Sequence, residues 1–482
     1  MAAISRARRA ALARQARDIR LAYERQGMGA QQVAEAILHQ LPEILPLEAW
    51  RLARGWSRRR AVDELVALYQ AEGRPAPAVN TVMLCRWEHG SVTMSPDYEH
   101  MLCHLYQRSV QQLHPGAATA PAPAESPQHP KSVTQRHCAA TLHAGSHDDE
   151  GTDPMRRRTL LTAAGLSVPL SLLQRFDDAL AVPPQPERPV EPAQMAQLLR
   201  AARRQFDASE LTSLMASLPG LLASARETAQ RVDTPAGWAL VSASYNLATD
   251  TLNKIGNKPS ARLTADRAML YAERSDDSVA KAASARALGM MLRTQRRPDL
   301  ATAIMTKGVD QLAATGLRTT AQAAMYLRLL CARAYTHAWA GDRSRALEGI
   351  IEAEHAAARV PAMKPTAMPF AALYRVDIHY ALGDAGTALE AAKGLRTEMY
   401  RTPERRGRFH TDLARAWWQW GKPEQTAAEL LTAYQQAPAE VRDRPSIRLI
   451  AAELVERHPR VVGVRQLAKA ISRPRTHVPV TG

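Results

Sequence analysis

The sequence predicts an all-α protein, and three observations lead to that fold class. From residue 155 onward the chain is rich in Ala and Leu, and its apolar side chains recur with helical spacing. Runs of β-branched or aromatic residues, which are typical of strands, are few. A turn sequence also recurs along the C-terminal half, as helical repeats do. With 46% hydrophobic residues, the chain can bury a core.

The 482 residues exceed a typical domain length about threefold, so more than one folding unit is expected. Composition divides the chain into segments. Residues 1–113 have a helical pattern, and residues 1–60 hold twelve arginines and no lysine. Residues 114–154 are rich in Pro, Ala, Ser and His and predict a disordered linker. Residues 155–190 predict a basic connecting helix, and residues 191–475 a domain of helical repeats.

Charge and cysteine content restrict the partners and the compartment. The formal net charge of +16 favours a polyanionic partner, although an Arg-rich composition alone does not establish one. The four cysteines are irregularly spaced, which argues against a disulfide framework and for a reducing compartment. No segment has the run of about 18 apolar residues needed to span a bilayer. We therefore expect a cytoplasmic protein without stable membrane insertion.

The repeated turn begins at Gly256, Arg296, Gly341, Gly383 and Gly421, with starts 38 to 45 residues apart. Glycine at the end of a helix adopts a left-handed conformation, and the polar residue or proline after it starts the next helix. A small residue five places later allows two helices to pack closely. The pattern predicts helical hairpins repeated along a solenoid, with a non-repetitive helical bundle as the alternative.

The last copy resembles the tetratricopeptide repeat (TPR) family most closely. Its residues at the family's offsets are Leu413, Ala414, Trp417, Gly421, Leu430, Ala433 and Pro438. Other copies have a small residue twelve after the turn, whereas the copy at Gly383 has Leu395 there. All spacings exceed the family's usual period, which predicts longer helices or loops. A hairpin around residues 206–225 is a further candidate unit, and residues 445–471 are the expected capping helices.

The TPR resemblance implies a ligand-binding concave face, lined by the first helix of each hairpin. Its offsets select Asn246, Asp250, Asn253, Arg286, Arg293, Arg328, Tyr335, Trp339, Asp377, Tyr380, Arg408, Arg415 and Trp418. The members of the pairs 246/253, 286/293 and 408/415 are seven residues apart and so share a helix face. Arginine and asparagine suit a peptide or another anionic ligand. The alternative is a merely solvated face.

The stretch NTVMLCRWEHG, residues 80–90, predicts a short helix with Asn80 as its N-cap and Gly90 as its terminator. Leu84 and Trp87 are expected to point inward. Upstream, RLARGWSRRRAVDELVALY (51–69) predicts one helix ending near Gly55 and a second that begins after Ser57. The arrangement suits a helix-turn-helix, in which one helix crosses the DNA backbone and the next enters the major groove.

These stretches resemble the Cro and phage-repressor class of helix-turn-helix proteins, the XRE family. The family's recognition segment ends in W-E-x-G, which stands here as Trp87, Glu88 and Gly90. This chain departs from the pattern in having 21 residues from Arg58 to Val79, which predicts an extended second helix and a loop before the third.

The XRE resemblance implies that Thr81, Val82 and Arg86 meet base edges. Arg86 can pair bidentately with guanine and Val82 can contact a thymine methyl. Arg58, Arg59 and the N-terminus of the third helix, at Asn80, would hold phosphates. The alternative reading of Arg86 is a solvated surface residue of a core helix.

Other groups of residues give weaker evidence for a functional site. Cys85, His89, His100, Cys103 and His104 do not match a zinc-ligand spacing, so no metal site or cofactor is predicted. Residues 155–173 resemble a twin-arginine export signal but begin far inside the chain, so a basic helix is the prediction. No P-loop, GxGxxG, HExxH or GxSxG motif occurs, so no catalytic residue is assigned and no enzyme is predicted.

The residues together predict a transcriptional regulator that binds a double-stranded DNA operator as a homodimer. Its repeat domain would sense a peptide, a small anionic ligand or a protein partner. The alternative is an adaptor whose helix-turn-helix no longer reads DNA.

Overall fold

A computed structural model describes residues 6–113, 168–186, 189–359 and 363–472. Across these residues the secondary structure is entirely helical, which confirms the predicted all-α class. The predicted linker, residues 114–154, and the first part of the predicted basic helix, residues 155–167, lie outside the described residues. No helix within the described ranges is both long and apolar enough to cross a membrane.

The contacts divide the chain into two compact units. Among the described residues, the first comprises 6–57 and 103–113, and the second comprises 58–102, 168–186, 189–359 and 363–472. The division therefore passes through the segment predicted as a single N-terminal domain. Residues 58–102, which include the predicted recognition helix, pack with the C-terminal helices.

The first unit contains helices α1 (Arg6–Arg25), α2 (Ala30–Gln40), α3 (Pro46–Ala53) and α7 (Val110–Leu113), with the end of α6 (Pro96–Tyr106). Val33, Ile37 and Leu47 are buried in it. At its edge the Arg108 guanidinium lies 4.4 Å from the centroid of the Trp50 ring, a cation–π contact that holds α7 near α3.

The second unit begins with α4 (Arg58–Ala71), α5 (Thr81–Glu88) and most of α6. Helices α8 (Leu170–Ala181), α9 (Pro192–Asp207) and α10 (Leu211–Val232) follow. After them come five helix pairs, which we call the hairpin stack. Its helices are α11 (Pro235–Ile255), α12 (Lys258–Ser275), α13 (Ser278–Thr294), α14 (Pro298–Ala313), α15 (Thr320–Trp339), α16 (Arg343–Ala358), α17 (Lys364–Ala381), α18 (Ala385–Ala391), α19 (Pro403–Trp420) and α20 (Pro423–Gln436). Helices α21 (Pro438–Arg442), α22 (Pro445–Arg457) and α23 (Val464–Ser472) end the unit.

The five repeated turns lie where the sequence predicts them, between the two helices of each pair. Gly256, Gly341, Gly383 and Gly421 have φ values of +80° to +87°, and Arg296 takes the same left-handed region at +58°. Glycine populates this region without the steric cost that a side chain brings. Five residues on, Ala261, Ala301, Ala346 and Ala388 are fully buried, so the paired helices approach closely.

The fourth pair departs from the others. Its second helix, α18, has seven residues, and a 3₁₀ turn at Thr397–Met399 replaces its continuation. The copy at Gly383 is the one with Leu395 where the other copies have a small residue. The helix ends at Ala391, and Leu395 packs against the buried cluster that contains Phe409 and Leu413.

Candidate functional sites

The first candidate site is α5, the predicted recognition helix. Asn80 is its N-cap, since the side-chain oxygen accepts hydrogen bonds from the backbone N–H groups of Val82 (3.0 Å) and Met83 (2.9 Å). Met83, Leu84 and Trp87 are buried, and the Trp87 ring lies 4.9 Å from that of Tyr98. Gly90, with φ +61°, follows the end of the helix. The inward and terminating positions are those that the sequence predicts.

A partly buried ion pair fixes α4 to the end of α5. Arg58 Nε donates to Glu88 Oε2 at 2.6 Å, and the Glu88 side chain is completely buried. Arg58, expected to hold a phosphate, thus orients the two helices. Arg59 is 81% exposed and pairs with Asp63 one turn along α4. Exposure leaves Arg59 better placed than Arg58 to meet a polyanion.

Part of the outer surface of α5 is covered by the end of another helix. Arg86 donates through Nη1 to the backbone carbonyl of Trp418, and its guanidinium lies 4.7 Å from the centroid of the Trp418 ring. Burial lowers the pKa of Arg86. Asn80 Nδ2 donates to the carbonyl oxygen of Trp420 at 3.3 Å. Two of the residues expected to contact DNA therefore contact the C-terminal end of α19.

Three glycine turns form the surface on which this segment rests, and we call it the turn edge. A Cβ added at Gly341 would lie 2.7 Å from the Cβ of Pro96. One at Gly383 would lie 2.7 Å from the Tyr98 ring, and one at Gly421 would lie 2.5 Å from a methyl of Val82. The glycines therefore supply both the left-handed turn and the space that residues 82–98 occupy. Val82 is 42% exposed beside this contact.

A buried polar cluster joins α4 and α6 to the turn edge. Arg343 donates through Nε to Asp97 (2.9 Å) and also pairs with Asp384. Tyr69 donates to Asp97 and Tyr98 donates to Asp384, at 2.8 and 2.7 Å. Burial and the neighbouring carboxylate raise the pKa of Tyr98, so its hydroxyl remains a donor.

The second candidate site is the face shared by the first helices of the five pairs, which we call the groove. Neighbouring members of the row α9, α11, α13, α15, α17 and α19 contact one another, and α9 also contacts α19. The row therefore curves back on itself and its inner face is concave. Lys254 Nζ closes the curve with ion pairs to Glu404 (2.6 Å) and Glu440.

The residues selected by the repeat offsets meet one another in pairs across this row. Arg286 donates to Asp250 at 3.0 Å and Arg408 donates to Asp377 at 3.2 Å. Arg293 lies 4.7 Å from the centroid of the Tyr335 ring. Further contacts are those of Asn246 with Ser284 (3.0 Å), of Asn253 with Met290 (3.6 Å), and of Arg415 with Tyr380 (4.1 Å to the ring centroid).

Two groove arginines differ from the rest. Within the described ranges, no carboxylate lies in ion-pair distance of Arg293 or Arg328; Arg293 donates to the hydroxyl of Thr336 at 3.1 Å. Desolvation, followed by repulsion from Arg405 and Arg286, lowers the pKa of Arg328 to about 10. Within those described ranges, both guanidinium groups therefore lack a compensating charge that an anion would supply.

Several groove residues were not predicted from the sequence, and one residue predicted to lie in the groove lies elsewhere. Asp412, fully buried, neutralises Arg408 and Arg415. Its spacing of four from Arg408 was the available signal. Arg405, whose positive charge lowers the pKa of Arg328, has no sequence spacing that would have identified it. Trp418, expected in the groove, lies against Arg86 and against His458.

Cys85 Sγ and His89 Nδ1 lie 3.5 Å apart, but the described part of the chain contains no cluster of three or more potential metal ligands. No protein-family model matches this chain, and no curated protein matches it. Assignments of function therefore rest on the residues themselves.

Proposed function

We propose that the protein is a sequence-specific DNA-binding regulator, with α4 and α5 as an XRE-type helix-turn-helix and the hairpin stack as a TPR-like sensor. The observation that carries the DNA-binding part is the construction of α5. Its capped N-terminus, buried apolar half and fixed link to α4 through Arg58 and Glu88 are the requirements of a helix that enters a groove at a set angle.

The other half of α5 carries the chemistry for reading bases. Thr81, Val82 and Arg86 lie on the side opposite the buried Leu84 and Trp87. Arg86 can donate two hydrogen bonds to guanine, and Val82 offers a methyl contact to thymine. The net charge of +16 and the exposed Arg59 supply attraction to phosphates. One such helix reads few base pairs, so the proposal includes a homodimer acting on a two-fold site in the cytoplasm.

The ligand we propose for the groove is an anion with at least two acidic groups, such as a dicarboxylate or an acidic peptide. Arg293 and Arg328 lie on neighbouring helices, and Arg286 is a charged neighbour of both. Two uncompensated guanidinium groups favour carboxylates or phosphates, with which arginine forms bidentate hydrogen bonds.

Thermal unfolding of the full chain in citrate or pyrophosphate, against chloride at equal ionic strength, tests this ligand class. Both anions are expected to raise the Tm of the wild type and of Arg318→Gln, an exposed surface control. The double variant Arg293→Gln/Arg328→Gln is expected to lose the increase. An equal increase in the wild type and the double variant would rule out the site.

The second candidate function, an adaptor that does not read DNA, is favoured by the contact between Arg86 and Trp418. Genomic pull-down with sequencing separates the two functions. Discrete peaks that share a two-fold-symmetric sequence are expected for the regulator. Recovery of no enriched sequence would favour the adaptor.

A further inference from the structure

The turn edge presents hydrogen-bond acceptors to the face of α5 that would read DNA. The last carbonyl groups of a helix have no partner within it and lie at the negative end of its dipole. Those of Trp418 and Trp420 in α19 accept from Arg86 and Asn80. The carbonyl of Leu382, after α17, accepts from the Ser95 hydroxyl at 2.9 Å.

These acceptors are of the same kind as those of DNA. Guanine offers the oxygen O6 and the nitrogen N7 to an arginine, and the backbone offers phosphate oxygens. Arg86 meets a carbonyl oxygen and an aromatic face at the turn edge instead. The turn edge therefore gives the Arg86 side chain the hydrogen-bond acceptor that a base would otherwise provide.

We propose that the turn edge is an internal competitor of DNA, and that α5 reads DNA only after it leaves this surface. The inference rests on the proposed DNA-binding function and assigns its regulation. In the closed state described by the structure, α5 is held on the stack. In an open state the side chains of Arg86, Val82 and Asn80 no longer contact the stack and can contact DNA.

Steric contact makes the two states exclusive. A recognition helix lies in a groove about 12 Å wide and 8.5 Å deep, so the space in front of its reading face must be empty. Here the turn at Gly421 touches Val82 and the end of α19 touches Arg86. Bases and the turn cannot occupy that space together.

The polar cluster around Arg343 stabilises the closed state. Arg343, Asp97 and Asp384 are all at least 95% buried; Arg343 pairs with both carboxylates across the contact, and Arg74 supplies the second positive charge at Asp97. Separating α6 from the turn edge divides this cluster. The apparent affinity for DNA is the intrinsic affinity reduced by the fraction of open molecules. A change in the strength of the closed contact therefore changes the affinity for DNA without changing any base contact.

The groove and the turn edge share helices, which links ligand to release. Helix α15 carries Arg328 in the groove and is followed by the turn at Gly341, against which Pro96 lies. A ligand that shifts α15 relative to its neighbours therefore moves the turn edge. The ligand can change the affinity for DNA only by as much as its own affinities for the open and closed states differ.

A disulfide between α5 and the turn edge tests the inference. A Cβ at Gly421 would lie 3.2 Å from the Cβ of Val82, close to the separation of about 3.5–4.5 Å in disulfides. The variant is Val82→Cys/Gly421→Cys in a chain whose four native cysteines are replaced by alanine. Its binding to random-sequence duplex DNA and to sequences selected from it is measured oxidised and reduced, with Val82→Cys alone as the control.

Oxidation is expected to form the cross-link and abolish binding to selected DNA, and reduction is expected to restore binding at least to the level of the single variant, because a side chain at position 421 also loosens the closed contact. Equal binding of the oxidised and reduced protein would overturn the inference while leaving the DNA-binding function. Failure to cross-link would also overturn it. A cross-linked protein whose reduced form and wild type bind no DNA would overturn both.

A second pair of variants loosens the contact without touching the reading face. Ser95→Ala/Tyr98→Phe removes two hydroxyl groups that bond to the turn edge, and is expected to raise the affinity for selected DNA about 5- to 30-fold. Ser244→Ala/Tyr245→Phe removes two hydroxyl groups from buried residues of α11 and is expected to leave the affinity unchanged. An equal affinity in both double variants would contradict the inference.

Discussion

The groove and the turn edge are two surfaces of the same helices, and they use charge differently. In the groove, arginines outnumber their carboxylate partners, and Arg293 and Arg328 have none within the part of the chain that the structure describes. At the turn edge, Arg343 sits between Asp97 and Asp384 and the contact is closed by residues 80–98. The first surface is suited to an external anion, whereas the second already has its partner within the chain.

The largest effect is expected from Arg343→Ala, which would weaken the contact between α6 and the turn edge. The substitution leaves the buried Asp384 without its guanidinium partner, while Arg74 still pairs with Asp97, and it costs about 3–5 kcal/mol in the free energy of unfolding. Urea denaturation measures the loss. Arg345→Ala is the matched control, because its side chain is 72% exposed and its ion pair contributes at most about 1 kcal/mol. Similar losses in the two variants would show that the cluster does not stabilise the contact.

Closure of the groove is tested by Lys254→Met, with an expected loss of about 3 kcal/mol. The loss is at the lower end for a buried ion pair because Arg405 and Arg444 still neutralise Glu404 and Glu440. The measurement is the free energy of unfolding at neutral pH. A variant as stable as the wild type would contradict the assignment of Lys254 as the closing residue.

The same substitution gives a pH dependence. Burial raises the pKa of Glu404, but Lys254 and then Arg405 outweigh it and hold the pKa below its ordinary value of 4.5. A lowered pKa contributes stability that is present above pH 4.5 and is lost as the pH falls below it. The stability difference between the wild type and Lys254→Met is therefore expected to shrink on acidification below about pH 4.5. A difference that grows instead would show that the ion pair has the opposite effect.

A smaller effect is expected from Asn80→Ala. Loss of an N-cap costs about 1 kcal/mol, and Thr402→Ala, which removes the cap of α19, is the control. Asn80 also donates to the carbonyl of Trp420, so its loss is expected to exceed that of Thr402 in urea denaturation. If Thr402→Ala loses as much, the hydrogen bond from Asn80 to the turn edge adds no stability.

Local patterns predicted much of the fold and of the groove. Glycine turns, buried alanines and the Asn80 cap are set by residues within a few positions of one another. The repeat offsets selected the helix faces that meet, and Arg286 contacts Asp250 because neighbouring first helices lie side by side. Arg86 and Trp418, by contrast, are 332 residues apart, and no local pattern joins them. The same outward position of Arg86 suits either a base or a carbonyl, so sequence alone predicted the face and not its partner.

The most direct test of the central claim, that α5 reads DNA bases, is selection of binding sites from random duplex DNA by the wild type, Arg86→Ala and Arg59→Ala. The wild type is expected to enrich a two-fold-symmetric sequence. Arg59→Ala is expected to bind all DNA more weakly with a salt slope smaller by about 1 and to keep the same sequence preference. Arg86→Ala is expected to relax that preference at one position of each half-site, at a cost of about 1–3 kcal/mol there. Equal losses for Arg86→Ala on selected and random DNA would contradict the claim.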